Sequence, residues 1–190
     1  MTEKEKMLAG LNYDSRDPEL LEMYHKTRNL LKIFNNLDSE LTDRKESILN
    51  ELFSYKGSGV WVEAPFFCDY GENISIDSGT FVNVNCMFLD GNKINIGKNC
   101  LIAPYVQIYT TTHPVKASER IIHEQNSSRY LCSTKPVIIK DNVWIGGNSV
   151  IFPGVRIGRN TTIGAGSVVT RDIPENVFAF GSPCEVKREL

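Results

Sequence analysis

The sequence predicts an all-β fold, a left-handed parallel β-helix built of hexapeptide repeats, with a small N-terminal helical cap. Three observations predict it. Apolar residues recur every six positions through Ile139, Ile145, Ile151, Ile157, Ile163 and Val169, and the interval returns at Ile96, Ile102, Ile108 and at Ile76, Val82, Phe88. A small residue follows many of them, as at Gly97, Ala103, Gly146, Gly158 and Gly164. Ahead of Ser54 that period is missing, and apolar residues fall at helical spacing instead.

A period of six is neither the helical repeat nor the simple alternation of a strand. It suits a short strand followed by a tight turn, and three such units close one coil of about 18 residues with aliphatic side chains stacked inside. Glycine or alanine after the inward residue lets the chain turn closely. A β-sandwich is the competing arrangement, but its turns would recur irregularly, every 8 to 12 residues or roughly so.

The elements follow in order. Residues 1–57 form the cap, on the spacing of Leu20, Leu21, Tyr24, then Leu30, Leu31, Phe34, and later Ile48, Leu49, Leu52, Phe53. Asp17-Pro18-Glu19 reads as a helix start, with Asp17 able to cap, Pro18 at the first helical position and an acid in the first turn. Ser39 and Thr42 offer similar starts for a last helix through Glu51. Residues 58–190 form the β-helix. Phe88 to Ile96 is an interval of eight, which predicts a two-residue bulge within Leu89-Asp90-Gly91-Asn92-Lys93. From about 109 to 138 the repeat lapses, which predicts a long external loop of functional or disordered character.

The chain has 190 residues, room for one domain and an appendage. Its 21 basic and 23 acidic residues leave a net charge of −2, too weak a field to hold nucleic acid or an anionic membrane. No apolar run approaches the roughly 18 residues that span a bilayer, and the charged start Met1-Thr2-Glu3-Lys4 is no secretion signal. Cys68, Cys86, Cys100, Cys132 and Cys184 are odd in number and lack paired spacing, so they read as free thiols in a reducing cytoplasm, without a metal.

Several fragments stand in a specific order. They are Met7-Leu8-Ala9-Gly10 and Asp17-Pro18-Glu19-Leu20 in the cap, Phe81-Val82-Asn83-Val84-Asn85 in the early coils and Thr112-His113-Pro114 at the loop. At the end come Asp141-Asn142-Val143-Trp144-Ile145-Gly146-Gly147 and Ile163-Gly164-Ala165-Gly166-Ser167-Val168-Val169-Thr170. In these, over nearly its whole length, the chain resembles the hexapeptide-repeat acyltransferases, in the sugar O-acetyltransferase branch of maltose, galactoside and nodulation-type enzymes. The resemblance implies transfer of acetyl from acetyl-CoA, a co-substrate, to a hydroxyl of a sugar or sugar-like small molecule, without metal. It also implies a homotrimer with an active site in each cleft between neighbours.

Acyl transfer to an alcohol needs a base for the hydroxyl proton and a donor for the oxyanion. Of three histidines, His25 in the cap and His123 in the loop read as solvated surface residues. His113 stands where coil gives way to loop, before Pro114, which favours an extended conformation. From the residues alone it is a turn histidine or a base; the resemblance implies the general base. Asn83 and Asn85 share one side if their strand stays extended, and one of them could stack in an asparagine ladder. The resemblance places Asn83 at the acceptor and thioester site as an oxyanion donor.

Asp69 matches an acceptor-contacting position at which relatives often carry Ser, and Asp90 in the bulge is a further acceptor candidate. Asp14 and Asp17 are candidates too, since carboxylates accept sugar hydroxyls, although capping explains Asp17 equally well. For acetyl-CoA the matching positions are Asn83, Trp144, Gly147, Ala165, Thr170, Arg171 and Arg188. Trp144, outward beside Ile145, suits pantetheine or a neighbouring subunit, and the two arginines suit nucleotide phosphates. Glu185 stands where relatives often carry a basic residue, with Lys187 near it. Val115 to Lys135 is longer than in galactoside enzymes, so acceptor identity transfers least.

Competing readings are an O-acetyltransferase of a non-sugar, antibiotic-like alcohol, a zinc carbonic anhydrase, and a non-catalytic β-helix scaffold. The zinc enzyme needs three converging histidines, and His25 lies in the cap far from the other two. A scaffold needs no histidine at the loop junction. Cys86, beside Asn85, reads as core rather than nucleophile.

Overall fold

A six-residue unit leaves only two to four residues for its strand once the turn is made. In the computed structural model, which describes residues 1–190, such strands stack into three parallel sheets. Face one collects Tyr55–Lys56, Ile74–Ile76, Ile94–Ile96, Val137–Ile139 and Arg156–Ile157. Face two collects Trp61–Val62, Phe81–Val82, Leu101–Ile102, Trp144–Ile145, Thr162–Ile163 and Val177–Phe180, and face three Phe66–Cys68, Cys86–Leu89, Gln107–Tyr109, Val150–Ile151 and Val168–Val169. The chain passes from face one to two to three and round again, forming a left-handed β-helix. The first strand, Tyr55–Lys56, begins just inside the stretch assigned to the cap.

The six-residue period is the register of this stack. Ile76, Ile96, Ile139 and Ile157 align on face one, Val82, Ile102, Ile145, Ile163 and Ala179 on face two, and Cys68, Phe88, Ile108, Ile151 and Val169 on face three. None of these side chains is more than 2 % exposed. Burial of each large aliphatic contributes about 1.5–3 kcal/mol, which offsets the entropy of ordering so many short strands.

The corner from face one to face two is turned by Gly79, Asn99, Asn142, Asn160 and Asn176, with φ from 53° to 74°. Asparagine tolerates this left-handed region, and its amide adds a bond between coils. Asn99 donates to Asn142 at 3.4 Å, Asn142 to Asn160 at 2.9 Å and Asn160 to Asn176 at 2.8 Å. The asparagine ladder is therefore here, and neither Asn83 nor Asn85 belongs to it. Coils approach so closely that a Cβ on Gly158 would lie 2.3 Å from the Glu175 nitrogen.

The cap holds three helices, α1 (Glu3–Leu8), α2 (Pro18–Phe34) and α3 (Thr42–Leu52). Asp17 caps α2 as expected, accepting from the Glu19 amide at 3.0 Å. The start of α3 differs: Leu41 stands at its N-cap without a side-chain bond, so neither Ser39 nor Thr42 caps it. Leu31, Phe34, Ile48, Leu49, Leu52 and Phe53 continue the prism core and close its first coil. At the far end Glu185–Glu189 folds back antiparallel on Val177–Phe180.

The corner from face three to face one is the irregular one. The bulge after Phe88 is present, and Asp90 and Asn92 within it are buried. Asp90 Oδ1 accepts from the amides of Asp69 at 3.0 Å and Tyr70 at 2.9 Å. Asn92 donates to the Leu8 carbonyl at 3.1 Å, and Thr134 donates to the Met7 carbonyl, tying the end of α1 to the prism. The segment after Tyr109 is no structureless loop. Thr111–Thr112 pairs antiparallel with Ser133–Thr134, a short helix follows at Ala117–Arg120, and Ile121–His123 pairs with Ser128–Tyr130 to make an ordered arm.

Two outcomes test this account. Ile145→Ala, at the centre of the face-two stack, should lower unfolding free energy by about 2–5 kcal/mol in urea titration while the β-sheet signature persists. Burial pushes the Asp90 carboxyl up to about 7, above its ordinary value, against the opposing pull of the Tyr70 amide. The folded state thus binds that proton more tightly than the unfolded chain does, so this group's stabilisation is full below about pH 4 and is lost as pH rises through about 7. Asp90→Asn should therefore flatten the decline of melting temperature between about pH 4 and pH 8, and an unchanged slope would contradict the assignment.

Candidate active site

Beside the irregular corner, α2, the segment after α1, the corner itself and the root of the arm enclose a cleft of about 380 Å³. Tyr13, Ser15, Arg16, Tyr24, Asp69 and Tyr70 form its walls, with Thr111, His113 and Cys132 at the arm's root. A larger open hollow of about 620 Å³ lies at the far end of the prism near Lys140, Arg156 and Glu175. It holds no histidine or cysteine; within it Arg159 pairs with Glu175 at 2.9 Å and the Arg156 backbone amide donates to Asp172 at 2.8 Å.

His113 directly follows the strand Thr111–Thr112, which the antiparallel pairing with Ser133–Thr134 holds in place. Its Nδ1 lies 2.8 Å from the Leu131 carbonyl oxygen. A carbonyl only accepts, so Nδ1 carries the hydrogen, and in the neutral ring the lone pair lies on Nε2. The ring is exposed, free to meet a ligand with that nitrogen.

Of the acceptor candidates only Asp69 lines the cleft. It is part-buried, its carboxyl is pushed up by burial and drawn down by Arg28, and Arg28 Nη2 lies 3.4 Å from Oδ1. Asp90 corrects the sequence expectation: it is fully buried, and its oxygens are occupied by backbone amides, so it supports the cleft floor from beneath rather than facing a ligand. Asp14 accepts from Arg129 Nη1 at 3.2 Å in a network that joins Arg16 and Glu124 across cap and arm. Asp17 serves as the cap of α2. Neither is among the residues lining the cleft.

Asn83 and Asn85 do not share a strand side. The strand ends at Val82, and Asn85 turns the corner between faces two and three with φ 60°. Asn83 Oδ1 accepts from the Val84 amide at 2.8 Å, which leaves its Nδ2 hydrogens available. Within one chain face three separates Asn83 from His113.

The remaining candidates divide in the same way. Trp144 projects from face two, half exposed, and Gly147 and Ala165 stack at the corner beyond it, where the Gly166 amide donates to the Gly147 carbonyl at 2.8 Å. Arg188 lies on the final strand of the same face, 5.7 Å from the Phe178 ring centre. Thr170 and Arg171 follow Val168–Val169 at the corner between faces three and one, on His113's side of the prism. Gly147, Ala165 and Gly166 together offer a side-chain-poor shelf, and a Cβ on Gly166 would meet nothing within 4 Å. Such a shelf suits a long flexible ligand arm. Glu185 is exposed and pairs with Lys187 at 3.2 Å.

Tyr13, Tyr24, Tyr70, Arg28 and Thr111 escaped the sequence reading. Tyr24 fits the apolar helical spacing of the cap, and nothing local marks cap residues that meet the prism only after folding.

Comparison with known proteins agrees with the fold. Residues 6–57 match the maltose acetyltransferase hexapeptide capping motif, and residues 136–171 match the bacterial transferase hexapeptide of six repeats. The galactoside O-acetyltransferase of Escherichia coli is 40% identical over 186 residues, 98% of this chain and 88% of that protein. The crystal structure of a maltose O-acetyltransferase from Clostridium difficile 630 superposes with a TM-score of 0.94 at 46% identity, covering 100% of this chain and 98% of that one. A galactoside acetyltransferase in complex with coenzyme A superposes with a TM-score of 0.92 at 39% identity, covering 100% of this chain and 91% of that one. Fold, cap and full-length similarity agree: the chain belongs to the hexapeptide-repeat family of acetyl-CoA-dependent O-acetyltransferases, in the branch that carries the maltose acetyltransferase cap.

Proposed function

We propose that this chain transfers the acetyl group of acetyl-CoA to a hydroxyl of a sugar-like acceptor, with His113 as general base and Asn83 of a neighbouring copy as oxyanion donor. The observation that carries the reading is the contact of His113 Nδ1 with the Leu131 carbonyl, which in the neutral ring leaves the Nε2 lone pair for a ligand. The acceptor hydroxyl gives its proton to Nε2 while its oxygen attacks the thioester carbonyl. Asn83 Nδ2 donates to the oxyanion, collapse breaks the carbon–sulfur bond, and the imidazolium returns its proton to the coenzyme A thiolate. The acyl group passes directly, without a covalent enzyme intermediate or a metal. Solved relatives that are maltose and galactoside acetyltransferases support a sugar acceptor.

The working unit is a homotrimer. Trp61, Phe81, Leu101 and Trp144 align along the outside of face two, and Trp61, Leu101 and Trp144 are each at least 45 % exposed, an apolar stripe suited to a second copy. Pairing face two of one copy with the His113 corner of the next would reunite both halves of the candidate set. Trp144, Gly147, Ala165 and Arg188 then meet Thr170 and Arg171 around one coenzyme. Five unpaired thiols favour a reducing, cytoplasmic setting, and no helix is long and apolar enough to cross a membrane.

A cysteine nucleophile is disfavoured. Burial pushes the Cys86 thiol up to about 11, and Cys132, although 3.7 Å from His113 Nδ1, is buried and also raised. Cys86→Ser should therefore keep turnover with maltose or a galactoside. His113→Ala should lower kcat by roughly 10²- to 10⁴-fold with the assembly intact in sedimentation. If the site is shared between copies, refolding equal amounts of His113→Ala and Asn83→Ala chains together should restore roughly a quarter of parental activity. No recovery would sink the shared site.

A further inference from the structure

Arg28 is placed on α2 with its guanidinium carbon 4.5 Å from the Tyr24 ring centre and Nη2 3.4 Å from Asp69 Oδ1. Its Nε is the buried side-chain nitrogen of this chain that finds no hydrogen-bond partner. A guanidinium offers Nε and Nη as a planar fork matched to the two oxygens of a carboxylate, and an unpaired buried donor is costly to leave. Here one prong engages, at long range. The Asp69 backbone is pinned through its amide to Asp90 Oδ1 at 3.0 Å, yet no protein group donates to its second carboxylate oxygen. The Asp69 side chain is 27 % exposed and lines the cleft that holds His113.

Arg28 is the cation that pairs with Asp69. Asp90 and Cys68 face it from the prism, Tyr70 follows it in the chain, and Tyr13 approaches from the segment after α1. None of these four brings positive charge. His113 and Arg16 line the same cleft, and Arg16 is engaged by Glu124 at 3.0 Å and Asp14 at 3.7 Å. Burial works against the ionised carboxylate, and Arg28 is the group that opposes it.

We propose that Arg28 is a positioning residue for the acceptor: its guanidinium holds the Asp69 carboxylate aimed into the cleft, where the free oxygen accepts a hydroxyl of a neutral, polyhydroxylated ring. This rests on the sugar acetyl-transfer reading and adds the group that governs its acceptor carboxylate. A neutral ring fits because a carboxylate with one oxygen open accepts hydroxyl hydrogens and repels an anionic acceptor.

The test uses the full chain with acetyl-CoA and maltose or a galactoside. Acceptor KM and kcat are measured between about pH 5.5 and 8.5 for the parent, Arg28→Gln, Arg28→Lys, Asp69→Asn and the Arg28→Gln/Asp69→Asn pair. Without Arg28 the Asp69 proton is held to higher pH, so the ratio of Arg28→Gln to parental acceptor KM should grow as pH falls, to roughly tenfold or more. The KM for acetyl-CoA should stay within about twofold, because Arg28 lies on the acceptor side. Arg28→Lys should return the parental pH dependence at least in part, and the double variant should lose no more than Asp69→Asn alone. A parent active on a neutral sugar, with a KM ratio that is flat across pH or with additive losses in the double variant, overturns the role of Arg28 alone. A parent that transfers acetyl to no sugar overturns both the role and the reading it rests on.

Discussion

Everything in this molecule depends on the stacking of one inward aliphatic per six residues. Strands of two to four residues have almost no stability by themselves, and the ladder of buried Ile, Val and Phe side chains on each face is what holds them in register. Because the period is the register, a residue cannot be added within a face without displacing every inward side chain that follows. Extra chain can enter only at a corner.

That constraint explains where the site is. The corner between faces three and one takes all the irregularity: the two-residue bulge after Phe88, the arm after Tyr109 and the docking of α1. Widening a corner exposes backbone groups that the repeat would have paired, and this chain satisfies them with buried side chains, Asp90 under Asp69 and Tyr70, Asn92 and Thr134 under the end of α1. The result is a polar, rigidly supported floor beside an otherwise apolar prism. His113 and Asp69 stand on it, while the Asp14–Arg129–Glu124–Arg16 network holds the arm against the cap.

The opposite side of the prism is regular, and its regularity is useful in another way. Small residues at Gly147, Ala165 and Gly166 keep the corner beyond face two bare, and Trp144 stands out from the face beside them. A bare shelf on one side and a base on the other do not meet within a triangular coil. In the proposed mechanism the packing of identical prisms side by side joins them, which couples assembly to chemistry.

The sequence by itself determined the prism, its core and the departures from the repeat after Phe88 and Tyr109, since a period is read along the chain without knowing what packs on what. The start of α2 was legible for the same reason, in Asp17-Pro18-Glu19. His113 stood out because it breaks from the coil at a place the period identifies. Tertiary structure alone decided which carboxylates face the cleft. Asp69 and Asp90 look alike in the chain, yet one opens on the cleft and the other is sealed beneath it by amides twenty residues away. Asn83 and Asn85 parted because the strand stops at Val82 and Asn85 turns the corner in the left-handed region. Arg28 reached Asp69 only through docking of the cap, a contact between residues 41 apart in sequence that no local pattern encodes.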